Sequence, residues 1–190
     1  MPLGQQPLAL GADIAAMSGT KTLSGHSDVL LGFVSARDAE RIAALRRWRS
    51  QSGSIPGAFE AWLAHRSLAT LALRLERSSA GATAVARALR ERADVLEVFH
   101  PSDHAIAQRQ MTHYGCLVGF TLASAERAQA VLRACTLVAE ATSFGGVHAT
   151  AERRGRWGTD DVPDGFIRYS AGCEDPDDLV ADLLHALDSA

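Results

Sequence analysis

Lysine is all but absent from this sequence. The 190-residue chain holds 19 lysine plus arginine residues, and arginine fills every one of those positions except Lys21. Cysteine is scarce as well. Cys116, Cys135 and Cys173 are odd in number, far apart and outside any C-x-x-C, which argues against a disulfide framework and fits a reducing, cytoplasmic setting. Aromatic residues make up 6% of the chain, no basic cluster is interleaved with them and the net charge is −3, so there is no electrostatic footprint for nucleic acid. No apolar run approaches the about 20 residues of a membrane-crossing helix. The opening MPLGQQPLALGAD lacks the charged-then-apolar pattern of a signal peptide. Neither a nucleic acid nor a membrane is expected as a partner, and the chain shows no internal repeat or low-complexity tract. At 47% hydrophobic it is long enough to bury a real core, as one medium domain or parts of two.

The lone lysine stands in AAMSGTKTLSGHSDV, residues 15–29, among Ser18, Thr20, Ser24, His26, Ser27 and Asp28. Arginine is never deprotonated in a protein, whereas a lysine amine can lose its proton and attack a carbonyl. Schiff-base chemistry with an aldehyde is therefore open to Lys21 and closed to the arginines. The alternative is a surface lysine left by arginine-biased usage.

Two short apolar runs flank this segment. ADIAAM and VLLGFVSA (29–36) read as strands, which places Lys21 on the loop between them. ARDAERIAALRRWRSQSG reads as an amphipathic helix closed by Gly53, with Ile42, Leu45 and Trp48 along one side. From Phe59 to about Arg92 the residues are nearly all helix formers, so one long helix is expected, kinked if anywhere at SSAG before Ala82. Trp48 and Trp62 are expected to fill core. Beyond it VLEVFH (95–100), CLVGFTL (116–122), TLVAEATS (136–143) and FIRYSAG (166–172) read as strands. AERAQAVLRAC reads as a helix between two of them, and CEDPDDLVADLLHALD as a terminal helix with acidic residues in its first turn. This mixture predicts a small α+β lobe with a mostly antiparallel sheet.

Five segments carry a family likeness in order. S-G-T-K-T-L-S-G-H-S-D-V (18–29) resembles the cofactor-lysine segment of the Cys/Met-metabolism enzymes that use pyridoxal 5′-phosphate (PLP). The likeness continues through P-G-A-F-E-A-W-L-A-H-R-S-L-A-T-L-A-L-R (56–74), A-I-A-Q-R-Q-M (105–111) and S-F-G-G-V-H (143–148). It ends with G-F-I-R-Y-S-A-G-C-E-D-P-D-D-L-V-A-D-L (165–183). The resemblance implies an α/β, aspartate-aminotransferase-like fold (fold type I). On that likeness residues 1–60 form the end of the PLP-binding large domain, 61–92 a long connecting helix and 93–190 the α+β C-terminal small domain.

Carried over by position, the resemblance makes Lys21 the residue that bonds PLP covalently and then moves protons on the substrate. Ser18 and Thr20 match phosphate ligands, and if the segment is extended their spacing lets both hydroxyls point the same way. Arg168 matches the arginine that grips the substrate α-carboxylate, Ser143 a serine beside that carboxylate, and His148 a position near the distal end of the substrate. Relatives often carry glutamate where His148 stands, so this chain departs from the pattern there. The implied activity is a PLP-dependent carbon–sulfur lyase, most like cystathionine γ-lyase, splitting cystathionine to cysteine, 2-oxobutanoate and ammonia. Cystathionine γ-synthase or a related member is the alternative, and a catalytically inactive fragment is a further one. Family members also have a long portion before this lysine. It supplies an aspartate for the pyridine nitrogen, a stacked aromatic, a phosphate loop and a Tyr-x-Arg pair from a neighbouring subunit. The chain therefore reads as the C-terminal half of such an enzyme, with a small amino acid as substrate. Its expected partners are further copies of itself (a tetramer in the family) or the missing half.

Other motifs fall short. HPSDH (100–104) spaces two histidines four apart, but Pro101 forbids a regular helix there and no second ligand pair exists, so no metal is expected. GHSDV has Val29 where a nucleophile elbow needs glycine, and Thr20 stands where a P-loop needs glycine before its lysine. RRGRW (153–157) is read as a solvated loop.

Overall fold

A computed structural model of the chain describes residues 3–190. Strand β1 (Ile14–Ser18) and strand β2 (Gly32–Ala36) pair antiparallel, with Ser18 opposite Gly32. The turn Gly19–Leu23 that carries Lys21 leads out of β1, so the lysine does lie between two strands. Helix α1 (Ala39–Ser52) starts on an Asp38 cap, whose carboxylate accepts from the Arg41 N–H, and stops at Gly53 in the left-handed region. Every residue of α1 is exposed or half-buried. Ile42, Leu45 and Trp48 instead line an open apolar groove of about 850 Å³ between α1 and β2, along with Phe33, Val34 and Ile55.

The expected long helix is two helices, α2 (Ala58–Leu68) and α3 (Leu71–Arg90). The chain breaks at Ala69 and Thr70, and α3 runs through Gly81 without interruption. Gly81 is there for closeness: a Cβ on it would stand 3.1 Å from Leu179 Cδ1 and 3.4 Å from the Ala171 Cβ. Trp48 and Trp62 do not fill core; they are 63% and 56% exposed.

The second sheet has the order β3 (Glu97–Phe99), β4 (Leu117–Thr121), β7 (Phe166–Ser170), β6 (Thr150–Arg153), β5 (Ala139–Glu140). All its pairings are antiparallel except β5 with β6. Of TLVAEATS only Ala139 and Glu140 pair as strand, while β6 and the short helix α4 (Ala105–Gln110) lie in segments whose apolar pattern predicts neither strand nor helix. Helix α5 (Ala125–Ala134) and helix α6 (Pro176–Ser189) pack with α3 on one face of the sheet. Val118, Phe120, Ala151, Ile167 and Tyr169 point to that face and meet Val85, Leu89, Val131, Leu179 and Leu183. Burying each of the larger side chains contributes about 1.5–3 kcal/mol.

Because side chains alternate along a strand, the residues between these core positions line the other face. The register sets Phe99 opposite Gly119, Gly119 opposite Arg168, and Arg168 opposite Glu152. This row crosses four strands and delivers Arg168 to the face away from the helices.

Candidate functional site

The lysine turn is fixed from three sides. On the first, Gly19 N–H and Thr20 N–H donate to the Leu31 carbonyl (2.6 and 3.2 Å), and the Leu31 N–H donates to Thr20 Oγ1 (2.8 Å). On the second, α3 contributes Arg74, which is 8% exposed. Its guanidinium donates to the carbonyls of Thr22 (2.7 Å), Leu23 (3.0 Å) and Ser67 (2.8 Å). On the third, residues 143–147 lie against the turn, with Val147 N–H donating to the Gly25 carbonyl at 2.8 Å. Gly145 makes that approach possible. Its φ is +77°, and a Cβ there would stand 2.6 Å from Thr22 Oγ1 and 2.9 Å from Thr22 N. Within the turn Lys21 departs from helical geometry (φ −82°, ψ −134°).

Held this way, Lys21 Nζ donates to Ser143 Oγ at 3.2 Å and lies 4.9 Å from the centre of the Phe144 ring. The Arg168 guanidinium carbon also lies 4.9 Å from that centre. One aromatic ring thus contacts both cations, an arrangement its quadrupole favours. Lys21, Ser143 and Arg168, 147 positions apart from first to last in the sequence numbering, meet around Phe144.

Arg168 is itself restrained. Its Nη2 donates to the Thr142 carbonyl (2.6 Å) and to Glu152 Oε2 (3.0 Å). Burial, then the charge of Arg154, draws its pKa below the ordinary arginine value, against Glu152 and Asp160. The group stays cationic. Glu152 is 0% exposed. It also receives Arg154 Nη1 (2.8 Å), Trp157 Nε1 (2.6 Å) and Arg156 Nη2 (3.2 Å). Burial pushes the Glu152 carboxyl up, but the hydrogen bonds from Arg154 and Trp157 and the charges of Arg154 and Arg168 outweigh it and hold it below the usual range. RRGRW is therefore no free loop: Arg154, Arg156 and Trp157 close over a buried acid. Arg168 borders a shallow groove of about 710 Å³ shared with Phe99, Gly119, Phe166, Arg154 and Asp160.

The remaining candidates divide. Ser18 is exposed at the end of β1 and makes no side-chain hydrogen bond among the described residues. Thr20 lies inside the helical turn, so the two hydroxyls are not presented by one extended segment as the spacing implied. Thr20 Oγ1 accepts from Leu31, and its own proton reaches the Leu31 carbonyl only at 3.5 Å, a length that leaves it able to turn to a better acceptor. His148 is not brought to this cluster. Its side chain is 89% exposed and its nearest acidic partner is Glu174 Oε1, 3.9 Å from Nδ1. Phe144, Gly145 and Glu152 were missed by sequence reasoning. The first two sat inside the quoted S-F-G-G-V-H, where a glycine pair beside a site serine signals close backbone approach. Glu152 carried a signal too, as the acid directly preceding an arginine cluster.

No group of three or more His, Cys, Asp or Glu suited to a metal ion occurs among the described residues. The donor set fits PLP: a primary amine for its aldehyde, and hydroxyls at Ser18 and Thr20 that can donate to a phosphate.

The comparisons with known proteins agree with this geometry. The family described as Cys/Met metabolism PLP-dependent enzyme matches residues 1–188. A Streptomyces coelicolor protein, provisionally named a cystathionine gamma-lyase, is 60% identical over 192 residues, covering 98% of this chain and 49% of the relative. A cystathionine gamma-synthase of Mycobacterium tuberculosis is 39% identical over 199 residues, with 98% and 51% covered. Among solved structures, a methionine gamma lyase from Micromonospora echinospora superposes with a TM-score of 0.92 at 38% identity, covering 99% of this chain and 54% of its own. The chain spans about half the length of these relatives. It belongs to the Cys/Met-metabolism family of PLP-dependent enzymes and has their fold.

Proposed function

We propose that the chain carries the lysine-bearing half of a carbon–sulfur lyase active site that works on cystathionine. The observation that carries this reading is the convergence of Lys21, Ser143 and Arg168 on Phe144. The 60% identity to the provisional gamma-lyase favours a lyase over a synthase.

Lys21 would hold PLP through its amine, with Ser18 and Thr20 donating hydrogen bonds to the phosphate. PLP, when bound, supplies an electron sink for the substrate carbon next to the amino group. Arg168 keeps Nε and Nη1 without a hydrogen-bond partner among the described residues, and Nη1, at the tip of the guanidinium, can donate to a substrate α-carboxylate. Ser143, bonded to Lys21 Nζ, would orient the amine. γ-Elimination requires proton removal first at the α-carbon and then at the β-carbon. One amine on a flexible four-carbon stem can serve both positions. His148, exposed beside Glu174, would meet the distal end of the substrate only across space open in this chain.

The division into a large-domain end (1–60), a connecting stretch (61–92) and a small domain (93–190) belongs to the same reading. So does a role for the apolar groove between α1 and β2 as the seat of the rest of the family fold, on the same or another polypeptide. Three unpaired cysteines suit a cytoplasmic enzyme, and the substrate is a small amino acid. A homotetramer is the assembly the family likeness implies. Alone, the chain is expected to bind PLP weakly and to show no lyase turnover.

The test supplies the first half of a family member together with this chain and offers cystathionine. Release of cysteine and 2-oxobutanoate in equal amounts supports the lyase. Consumption of a homoserine ester and cysteine instead supports the synthase, and no reaction with either substrate supports an inactive fragment.

A further inference from the structure

We propose that Glu152 is a positioning residue: its buried carboxylate fixes the Arg168 guanidinium beside Phe144 and so determines where an α-carboxylate is received. The proposal rests on the reading of Arg168 given above and adds to it the residue through which Arg168 is aimed.

Sheet register makes the two side chains direct cross-strand neighbours, β6 to β7, on the same face. A charged carboxylate with no exposure is costly unless its partners are excellent. Here both oxygens are engaged: Oε2 by Arg154 and Arg168, Oε1 by Trp157 and Arg156. Three guanidiniums thus meet one acid, but they are not equivalent. Arg154 has a second carboxylate in Asp160, at 2.5 Å, and Arg156 has one in Glu140, at 2.8 Å. Arg168 has none among the described residues; its other partner is the neutral Thr142 carbonyl. Arg168 is therefore the member of the cluster with a single carboxylate partner, shared with two other arginines, and a further anionic oxygen gains most there. Glu152 and Thr142 together take up Nη2, which leaves the two N–H groups of Nη1 as the receiving donors and stops the guanidinium plane from turning about its own bond. A solvated arginine on a long stem would have to lose that freedom each time a ligand bound.

The test is NMR of the arginine side chains in the full chain, with Arg168 assigned by the signals lost in Arg168→Lys. In the unaltered chain the Nη2 protons of Arg168 are expected as resolved, slowly exchanging signals, and titration with L-methionine should shift them. Glu152→Gln should merge them with those of Nη1 and weaken L-methionine binding about tenfold. Trp157→Phe removes one donor to Oε1 at a half-exposed residue and should act in the same direction, more weakly. It decides the matter if Glu152→Gln does not fold. Arg168 signals and affinity unchanged in the variants overturn the proposal. If instead the unaltered Arg168 signals ignore L-methionine and Arg168→Lys binds it equally well, the assignment of Arg168 to the carboxylate falls, and the substrate half of the proposal with it.

Discussion

Arg74 donates from Nη1 to the Thr22 carbonyl over 2.7 Å, one residue beyond Lys21. The same guanidinium holds the Leu23 and Ser67 carbonyls, so α3 grips the backbone of the lysine turn and ties it to α2. Burial draws the Arg74 pKa down, which is the cost of placing the group where only neutral oxygens, three carbonyls and the Thr70 hydroxyl, accept from it. Arg74→Met takes a charged donor away from three carbonyls. It should cost about 2–4 kcal/mol in urea unfolding, since each lost bond here involves a charged donor or strands a buried acceptor.

Gly145 offers a second handle on the turn. A methyl group on it meets Thr22 at 2.6–2.9 Å, in a backbone conformation that other residues rarely adopt. Gly145→Ala should lower stability by about 1–3 kcal/mol and move Ser143 away from Lys21. Thermal unfolding checks the first effect, and the yield of PLP attached to Lys21 checks the second.

Acid should weaken the part of the molecule that holds Asp94 and Glu152. Hydrogen bonds from Arg92 hold the Asp94 carboxyl down at about 2, from an ordinary 3.8. Glu152 is likewise below its ordinary value. A carboxyl whose folded pKa lies below its unfolded one contributes stability above the unfolded pKa, and that contribution fades as pH falls toward the folded one. The urea midpoint should therefore hold between pH 7 and about 5 and drop between about 4 and 2. Asp94→Asn should lower the midpoint at neutral pH and flatten the acid limb.

Arg168→Lys replaces a planar group of five donors with a point charge. In the assembled enzyme the apparent affinity for an amino-acid substrate should fall about tenfold, or 1.4 kcal/mol, while PLP attachment to Lys21 stays unchanged. Parallel titrations with substrate and with PLP separate the two.

Much of the candidate site was legible because the residues that meet in it lie in short, distinctive stretches. Lys21 is the sole lysine, and Ser143 and Arg168 sit in segments that keep the family pattern. The strands β4 and β7 were readable from their apolar residues, and α1 from its helical apolar spacing and Gly53. What escaped depends on partners distant in sequence. The break between α2 and α3 follows where Arg74 and Ser67 must meet the lysine turn, and neither Ala69 nor Thr70 is a helix breaker. Gly81, the expected kink, is a contact point for α6 instead. Trp48 has the helical spacing of a core residue, but the apolar side of α1 faces an open groove. Strand β6 is the polar sequence Thr-Ala-Glu-Arg, and only the sheet register shows that Glu152 belongs under Arg168.

The most direct measurement of the central claim is covalent trapping. The chain is incubated with PLP, reduced with borohydride and digested, and the modified peptide is located by mass spectrometry. A single adduct on Lys21, absent from Lys21→Ala, is the predicted result. Trapping of PLP in the Lys21→Ala chain, or an adduct at the N-terminal amine with Lys21 unmodified, would contradict it.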